Sequence, residues 1–187
     1  MLKLRFFGYF GLWYTILAMA LVQSSKAASG WEAANFSLPG TDGKSYTLDS
    51  FSNTKGLVVV FTCNHCPYAR AAWPLLIELA EKYKDMGIQF VGINPNNEQE
   101  YPEDSFEEMK KRVSEWGINF PYLRDENQEV ARAYDAQCTP DIYLFDQERK
   151  LYYRGRDIEG AIEKLLAGSP SPQNQPPSMG CSIKWKS

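Results

Sequence analysis

Hydrophobic positions along this chain follow two rhythms. Gly56-Leu-Val-Val-Val-Phe61 is an unbroken apolar run, too short for a helix and rich in β-branched residues, which predicts a central strand buried on both faces. Ile88 to Ile93 predicts a second such strand. Between them Ala72, Leu75, Leu76, Leu79, Ala80 and Tyr83 recur at helical spacing, so a helix is expected over 68–84, with Pro74 as a kink. Asp104-Ser-Phe-Glu-Glu-Met opens another helix running to about Trp116, its acidic residues in the first turn where the helix dipole favours them. Tyr122-Leu123 reads as a short strand, 129–134 as a short helix, and 158–167 as an amphipathic helix. Trp73, Trp116, Tyr83 and Tyr134 fall at helical spacing and are expected in the core.

Turn residues divide the remainder. Asp42-Gly43 stands between two short segments of strand formers within 36–48, a hairpin signature. Asp141 to Asp146 and Leu151 to Arg154 flank a polar turn and predict an antiparallel hairpin. Strands that alternate with helices and end in a hairpin predict an α/β fold: a central mixed sheet flanked by helices, with an N-terminal hairpin extension. The domain is expected over 31–168. The stretch Gly168 to Pro177, dense in Pro, Ser and Gln, predicts a flexible tail over 169–187.

The N-terminus departs from this pattern. Lys3 and Arg5 precede an uncharged apolar run from Phe6 to Val22, followed by Ser25, Lys26, Ala27 and Ala28. That order is a secretory signal peptide over 1–27, cleaved after Ala27. The alternative is an uncleaved membrane anchor, the only case in which a membrane is a partner. Both export the rest of the chain, as a periplasmic or secreted protein. A net charge of −3 leaves no basic excess to neutralise a phosphate backbone, which argues against nucleic acid. With 44% hydrophobic and 23% charged residues in 187, the composition is that of one ordinary globular domain.

Four cysteines in an oxidising compartment ordinarily suggest structural disulfides, but their placement here does not. Cys63 and Cys66 are two residues apart, where a buried strand gives way to a helix. A thiol there faces unpaired backbone N–H groups and the positive end of the helix dipole, which favour thiolate. Cys63, expected nearer the helix start and more exposed, is the candidate nucleophile, and Cys66 the resolving cysteine. Asn64 and His65 lie between them as modulating positions. Protonated His65, the only histidine in the chain, would lower Cys63 further; the plainer alternative is a solvated turn residue. Cys-x-x-Cys is also half a zinc site, but no second close pair of ligands exists in the sequence. Cys138-Thr139-Pro140, before the strand at Asp141, is a second candidate element. A proline that opens a strand leaves a backbone edge where an extended peptide can pair. Cys138 is a candidate third redox cysteine or a buried filler.

Taken together, the Asp-Gly-Lys hairpin, Phe61-Thr-Cys-Asn-His-Cys-Pro-Tyr68, Cys138-Thr-Pro-Asp141, Leu144-Phe-Asp146 and Tyr153-Arg-Gly-Arg156 resemble the thioredoxin-like superfamily. In detail they are similar to its peroxiredoxin-like and thiol-disulfide reductase branch, the redoxins of AhpC/TSA type. The ending Gly180-Cys-Ser-Ile-Lys-Trp185 is similar to a subgroup of bacterial redoxins. The resemblance implies that Pro140 is cis and packs beside the cysteine pair, that Pro140 and the backbone of Thr139 bind substrate, and that Cys138 lies near the site. It also implies cysteine-containing protein substrates, a redox partner protein and no organic cofactor. The chain departs from thioredoxins at Thr62, at Asn64-His65 and at Leu57, where a buried acid usually stands. Val60 occupies the position of the threonine that peroxiredoxins need three residues before the reactive cysteine. The implied function is thiol-disulfide exchange; the alternatives are a peroxidase, a copper- or zinc-binding protein, and a non-catalytic binding module.

Overall fold

The computed structural model describes residues 21–25 and 30–187. Most of the segment read as a signal peptide therefore lies outside the described residues. Its described part contains β1 (Leu21–Gln23). Next come the hairpin strands β2 (Ser37–Pro39) and β3 (Ser45–Thr47), paired around the expected Asp42-Gly43 turn. β4 (Gly56–Phe61) runs into α1 (Pro67–Tyr83), which carries Pro74 in its interior. β5 (Ile88–Asn94) leads through a 3₁₀ turn at Pro102–Asp104 into α2 (Phe106–Trp116), capped by the Ser105 hydroxyl, which accepts from the Glu108 N–H. β6 (Tyr122–Arg124), α3 (Glu129–Ala133), β7 (Cys138–Thr139), β8 (Asp141–Asp146), β9 (Leu151–Arg154), α4 (Ile158–Leu166) and β10 (Met179–Ser182) follow.

The central sheet has the order β6-β5-β4-β8-β9, parallel on the β4 side towards β5 and β6 and antiparallel from β4 to β8 and β9. β4 is buried throughout, as a strand covered on both faces must be. Its side chains alternate. Val58 and Val60 pack with Trp73, Leu76, Leu79, Met109 and Ile162 on the α1, α2 and α4 face. Leu57, Val59 and Phe61 pack with Phe36, Phe51, Val130 and Tyr134 on the face covered by the hairpin and α3. Two layers over one mixed sheet is the expected α/β architecture. Among the described residues no helix is long and apolar enough to cross a membrane.

The segment expected as a flexible tail, 169–187, instead lies against the domain. Its proline-rich part satisfies its polar groups there: the Tyr152 hydroxyl donates to the carbonyls of Ser169 and Pro170, the Arg156 N–H to that of Pro176, and the Arg154 N–H to the Gln175 side chain. Ser178, Cys181 and Ile183 are buried. β10 is the middle strand of a small sheet ordered β1-β10-β7. Density in Pro, Ser and Gln predicts a flexible tail; here the domain donates to its carbonyls and the Ser171 hydroxyl donates back to the Tyr152 carbonyl.

Candidate active site

β4 delivers the chain to the site and α1 takes it away. Pro67 occupies the first helical position, where its missing N–H costs nothing, so Cys66 becomes the N-cap residue. The helix begins at Pro67, against an expected start at 68, so Cys66, rather than Cys63, faces the first-turn N–H groups. Both sulfurs are enclosed, each residue 0% exposed, so the expectation of a more exposed Cys63 does not hold.

Thr139 meets both cysteines. Its hydroxyl lies 3.3 Å from Cys63 Sγ, and its carbonyl oxygen lies 3.3 Å from Cys66 Sγ. The Thr139–Pro140 peptide bond is cis. The third neighbour is Cys181, whose Sγ is 2.6 Å from that of Cys66. The edge expected to be open to an extended peptide is occupied by the chain's own C-terminal strand, with Cys181 opposite Thr139 and Ser182 opposite Cys138. Gly180 makes this approach feasible, since a Cβ there would stand 2.0 Å from the Thr139 carbonyl oxygen. Cys138 shares the strand, but its Sγ donates to the Pro140 carbonyl at 3.5 Å, and burial pushes its thiol up.

The loop between the cysteines is held from a distance in sequence. The Asn64 N–H donates to Asp104 Oδ1 at 2.6 Å, its side-chain amide donates to the Glu103 carbonyl at 2.7 Å, and its Oδ1 accepts from the Tyr122 hydroxyl at 3.1 Å. His65 directs Nδ1 to Asp104 Oδ2 at 2.5 Å and stacks on Tyr101 with ring centroids 4.4 Å apart. The Asn96 amide also donates to Oδ2, at 2.8 Å. His65 Nε2 is buried without a hydrogen-bond partner among the described residues. His65 is therefore a packed, oriented side chain rather than a solvated one.

The electrostatics follow from these neighbours. Burial pushes the Cys63 thiol well up, reinforced by its hydrogen bond to Cys66 and the charge on Asp104, with the Thr139 hydroxyl opposing. Cys66 moves the other way, to about 4, because Cys63 donates to it; burial opposes, and the Cys181 thiol and backbone N–H groups of Ala69 and Cys181 assist. The two thiols thus move apart, Cys63 up and Cys66 down, where a lowered Cys63 is expected from the sequence. Burial alone would raise Asp104, but hydrogen bonds and charge from His65, with further bonds from Asn96 and Asn64, hold it below the usual carboxylate range.

Two functional features escaped the sequence reading. Asp104 looked like an ordinary first-turn acid, and nothing in Pro102-Glu-Asp-Ser105 marks it as the anchor of the cysteine loop. Cys181 looked like a cysteine on a mobile tail. The small Gly180 beside it, and the similarity of the ending Gly180-Cys-Ser-Ile-Lys-Trp185 to a subgroup of bacterial redoxins, are the available signals.

The chain matches the AhpC/TSA family over residues 29–154. A crystal structure of an uncharacterized conserved protein from Geobacillus kaustophilus superposes with a TM-score of 0.88 at 44% identity, over 91% of this chain and 98% of that one. A hypothetical protein from Sinorhizobium meliloti gives 0.86 at 37% identity, over 88% and 98%. Thiol-disulfide oxidoreductase ResA of Halalkalibacterium halodurans is 26% identical over 157 residues, 83% of this chain and 85% of that protein. The thioredoxin domain of a thiol-disulfide oxidoreductase from Bacteroides vulgatus, at 24% identity and a TM-score of 0.64, shares the fold over 75% of this chain and 99% of that one. With its sheet order, its Cys63-Cys66 pair at the end of β4 and the Thr139–Pro140 bond beside it, this chain belongs to the AhpC/TSA family, on the thioredoxin-like fold.

Proposed function

We propose that this protein is an exported thiol-disulfide oxidoreductase that exchanges disulfides with cysteine-containing proteins through Cys63 and Cys66. The observation that carries the reading is the placement of the pair: Cys63 and Cys66 follow β4, Cys66 caps α1, and both sulfurs lie against Thr139, whose bond to Pro140 is cis. When the pair is oxidised, a substrate thiolate attacks Cys63 Sγ and Cys66 leaves as its stabilised thiolate. A second substrate thiol then resolves the mixed disulfide and frees Cys63. In reverse, Cys63 attacks a substrate disulfide and Cys66 resolves it. A low-pKa leaving group departs faster, and a stabilised thiolate favours the reduced form, which weights the pair towards oxidation of substrates.

Asn64 and His65 tune the pair by fixing its loop to Asp104. Thr139 and Pro140 form the floor for substrate, which enters once β10 moves aside. The sulfurs carry the electrons, so no organic cofactor is required, and a redox partner protein resets the pair. The ResA relatives, named as thiol-disulfide oxidoreductases, support this chemistry. Export rests on the order of charged, apolar and small residues over 1–27. Val60 in place of the peroxidatic threonine weighs against the peroxidase alternative.

The test is a glutathione redox titration with thiol trapping and mass mapping. A reversible Cys63–Cys66 bond is expected between about −120 and −270 mV, in the oxidising half of that range. Absence of any reversible bond, or full exchange activity in Cys63→Ser, would sink the reading.

One observation favours a second reading, a zinc or copper site: ligand atoms of Cys63, His65 and Asp104 lie within 4.8 Å of one another. Asp104 already accepts from His65, Asn64 and Asn96, so an ion would have to displace those bonds. Stoichiometric zinc or copper uptake by the reduced protein, lost in Cys63→Ser, would favour it.

A further inference from the structure

Three sulfurs, not two, gather at the end of β4. Cys63, Cys66 and Cys181 form one buried cluster with Ala69. Cys66 is the shared member, hydrogen-bonded to Cys63 on one side and 2.6 Å from Cys181 Sγ on the other. Closing that second contact to the ~2.05 Å of a disulfide needs a shift of about half an ångström. The placement is set by backbone pairing, since β10 is antiparallel to β7 with Cys181 opposite Thr139. Gly180 lets the strand come close enough, as any Cβ would collide with the Thr139 carbonyl. β10 therefore lies on the edge where an extended substrate would add, and Cys181 stands where such a substrate would present its own thiol.

We infer that Cys181 is a third redox cysteine, which takes over the Cys63–Cys66 disulfide by attacking Cys66. The Cys181 sulfur bonds to Cys66 Sγ, the Cys63–Cys66 bond breaks, and Cys63 leaves as a thiolate that receives the proton Cys181 has lost. One disulfide is exchanged for another, so no external oxidant or reductant is consumed. The product holds β10 covalently over the site and returns Cys63 as a thiol. Reduction of Cys66–Cys181, or the reverse exchange, releases the strand and restores access. Cys138 has no part in this: its sulfur bonds the Pro140 carbonyl.

The relay rests on the exchange reading above, and the experiment separates the two. The full chain and its Cys63→Ser, Cys181→Ser and Cys138→Ser variants are equilibrated in graded glutathione buffers, acid-quenched, alkylated and mapped by mass. Cys63→Ser is expected to form an intramolecular Cys66–Cys181 bond in most molecules. Partly oxidised wild type should yield both Cys63–Cys66 and Cys66–Cys181 peptides, Cys181→Ser only the first, and Cys138→Ser the wild-type pattern. If Cys63→Ser melts like wild type yet links Cys66 to nothing, or to Cys138, the relay is wrong. Should Cys63→Ser not fold, wild type decides: a reversible Cys63–Cys66 bond without any Cys66–Cys181 peptide across the titration overturns the relay and leaves the exchange reading standing. Absence of every reversible bond overturns both.

Discussion

Asp104 Oδ2 lies 2.5 Å from His65 Nδ1, and through this contact a residue just ahead of α2 holds the turn that carries both cysteines. The same carboxylate accepts from the backbone N–H of Asn64 and the side chain of Asn96. Because these partners hold Asp104 below its unfolded value of ~3.9, its contribution to stability is complete above that pH and is lost as pH falls towards the depressed folded value. Asp104→Asn should cost about 2 kcal/mol near neutral pH, the scale of a hydrogen bond to a charged group. Urea unfolding of the reduced proteins across pH checks this. The gap between variant and wild type should narrow in acid; a gap that stays constant would contradict it.

The opposite shifts of the two thiols are directly observable. In the reduced protein, ultraviolet thiolate absorbance should rise by one thiolate with a midpoint near 4 and then stay flat through neutral pH, because Cys63 is pushed the other way. Cys66→Ser should abolish the step. A first step near the ordinary thiol value of about 8.5 would show that Cys66 is not held low by its neighbours.

Gly180 is expected to control access to the sulfurs. Gly180→Val places a side chain against the Thr139 carbonyl and should dislodge β10. Alkylation of Cys63 and Cys66 by iodoacetamide should then accelerate about tenfold or more, as the two change from enclosed to open. Unchanged rates in a folded variant would mean that β10 does not gate the site.

Beneath β7, Arg154 forms a two-pronged bond to Asp141, Nη2 to Oδ2 at 2.8 Å and Nε to Oδ1 at 3.3 Å, with both side chains enclosed. Arg154→Met alone strands a buried carboxylate and should cost about 3–5 kcal/mol, whereas pairing it with Asp141→Asn should recover much of the loss. Thermal denaturation of the single and double variants decides this; additive losses would argue against the pair.

Cys138→Ser should keep most exchange activity, since its sulfur contacts a carbonyl and no other sulfur is bonded to it. Complete loss in a folded variant, measured with a reduced protein substrate, would contradict this.

Period and turn chemistry carried most of the fold. β4, β5, α1, α4 and the two hairpins are local patterns, and each appears where its residues predicted. The cysteine pair was legible for the same reason, being a short motif at a strand-to-helix junction. What was not legible depends on contacts distant in sequence. Asp104 is tied to the site by His65, Asn64 and Asn96, which converge on its carboxylate, and β10 forms between β1 and β7. The opposite shifts of the two cysteines likewise depend on their mutual contact and on neighbours distant in sequence, Asp104, Thr139 and Cys181.

The β1-β10-β7 sheet also joins the two ends of the described chain to one two-residue strand beside the cysteines. Leu21–Gln23 supports β10 from outside, so loss of that strand would leave β10 held by β7 alone. The looseness of the cover over the sulfurs is thereby tied to a strand far from them in sequence: a chain without Leu21–Gln23 would open at a different rate, though every residue of the Cys63–Cys66 loop is the same.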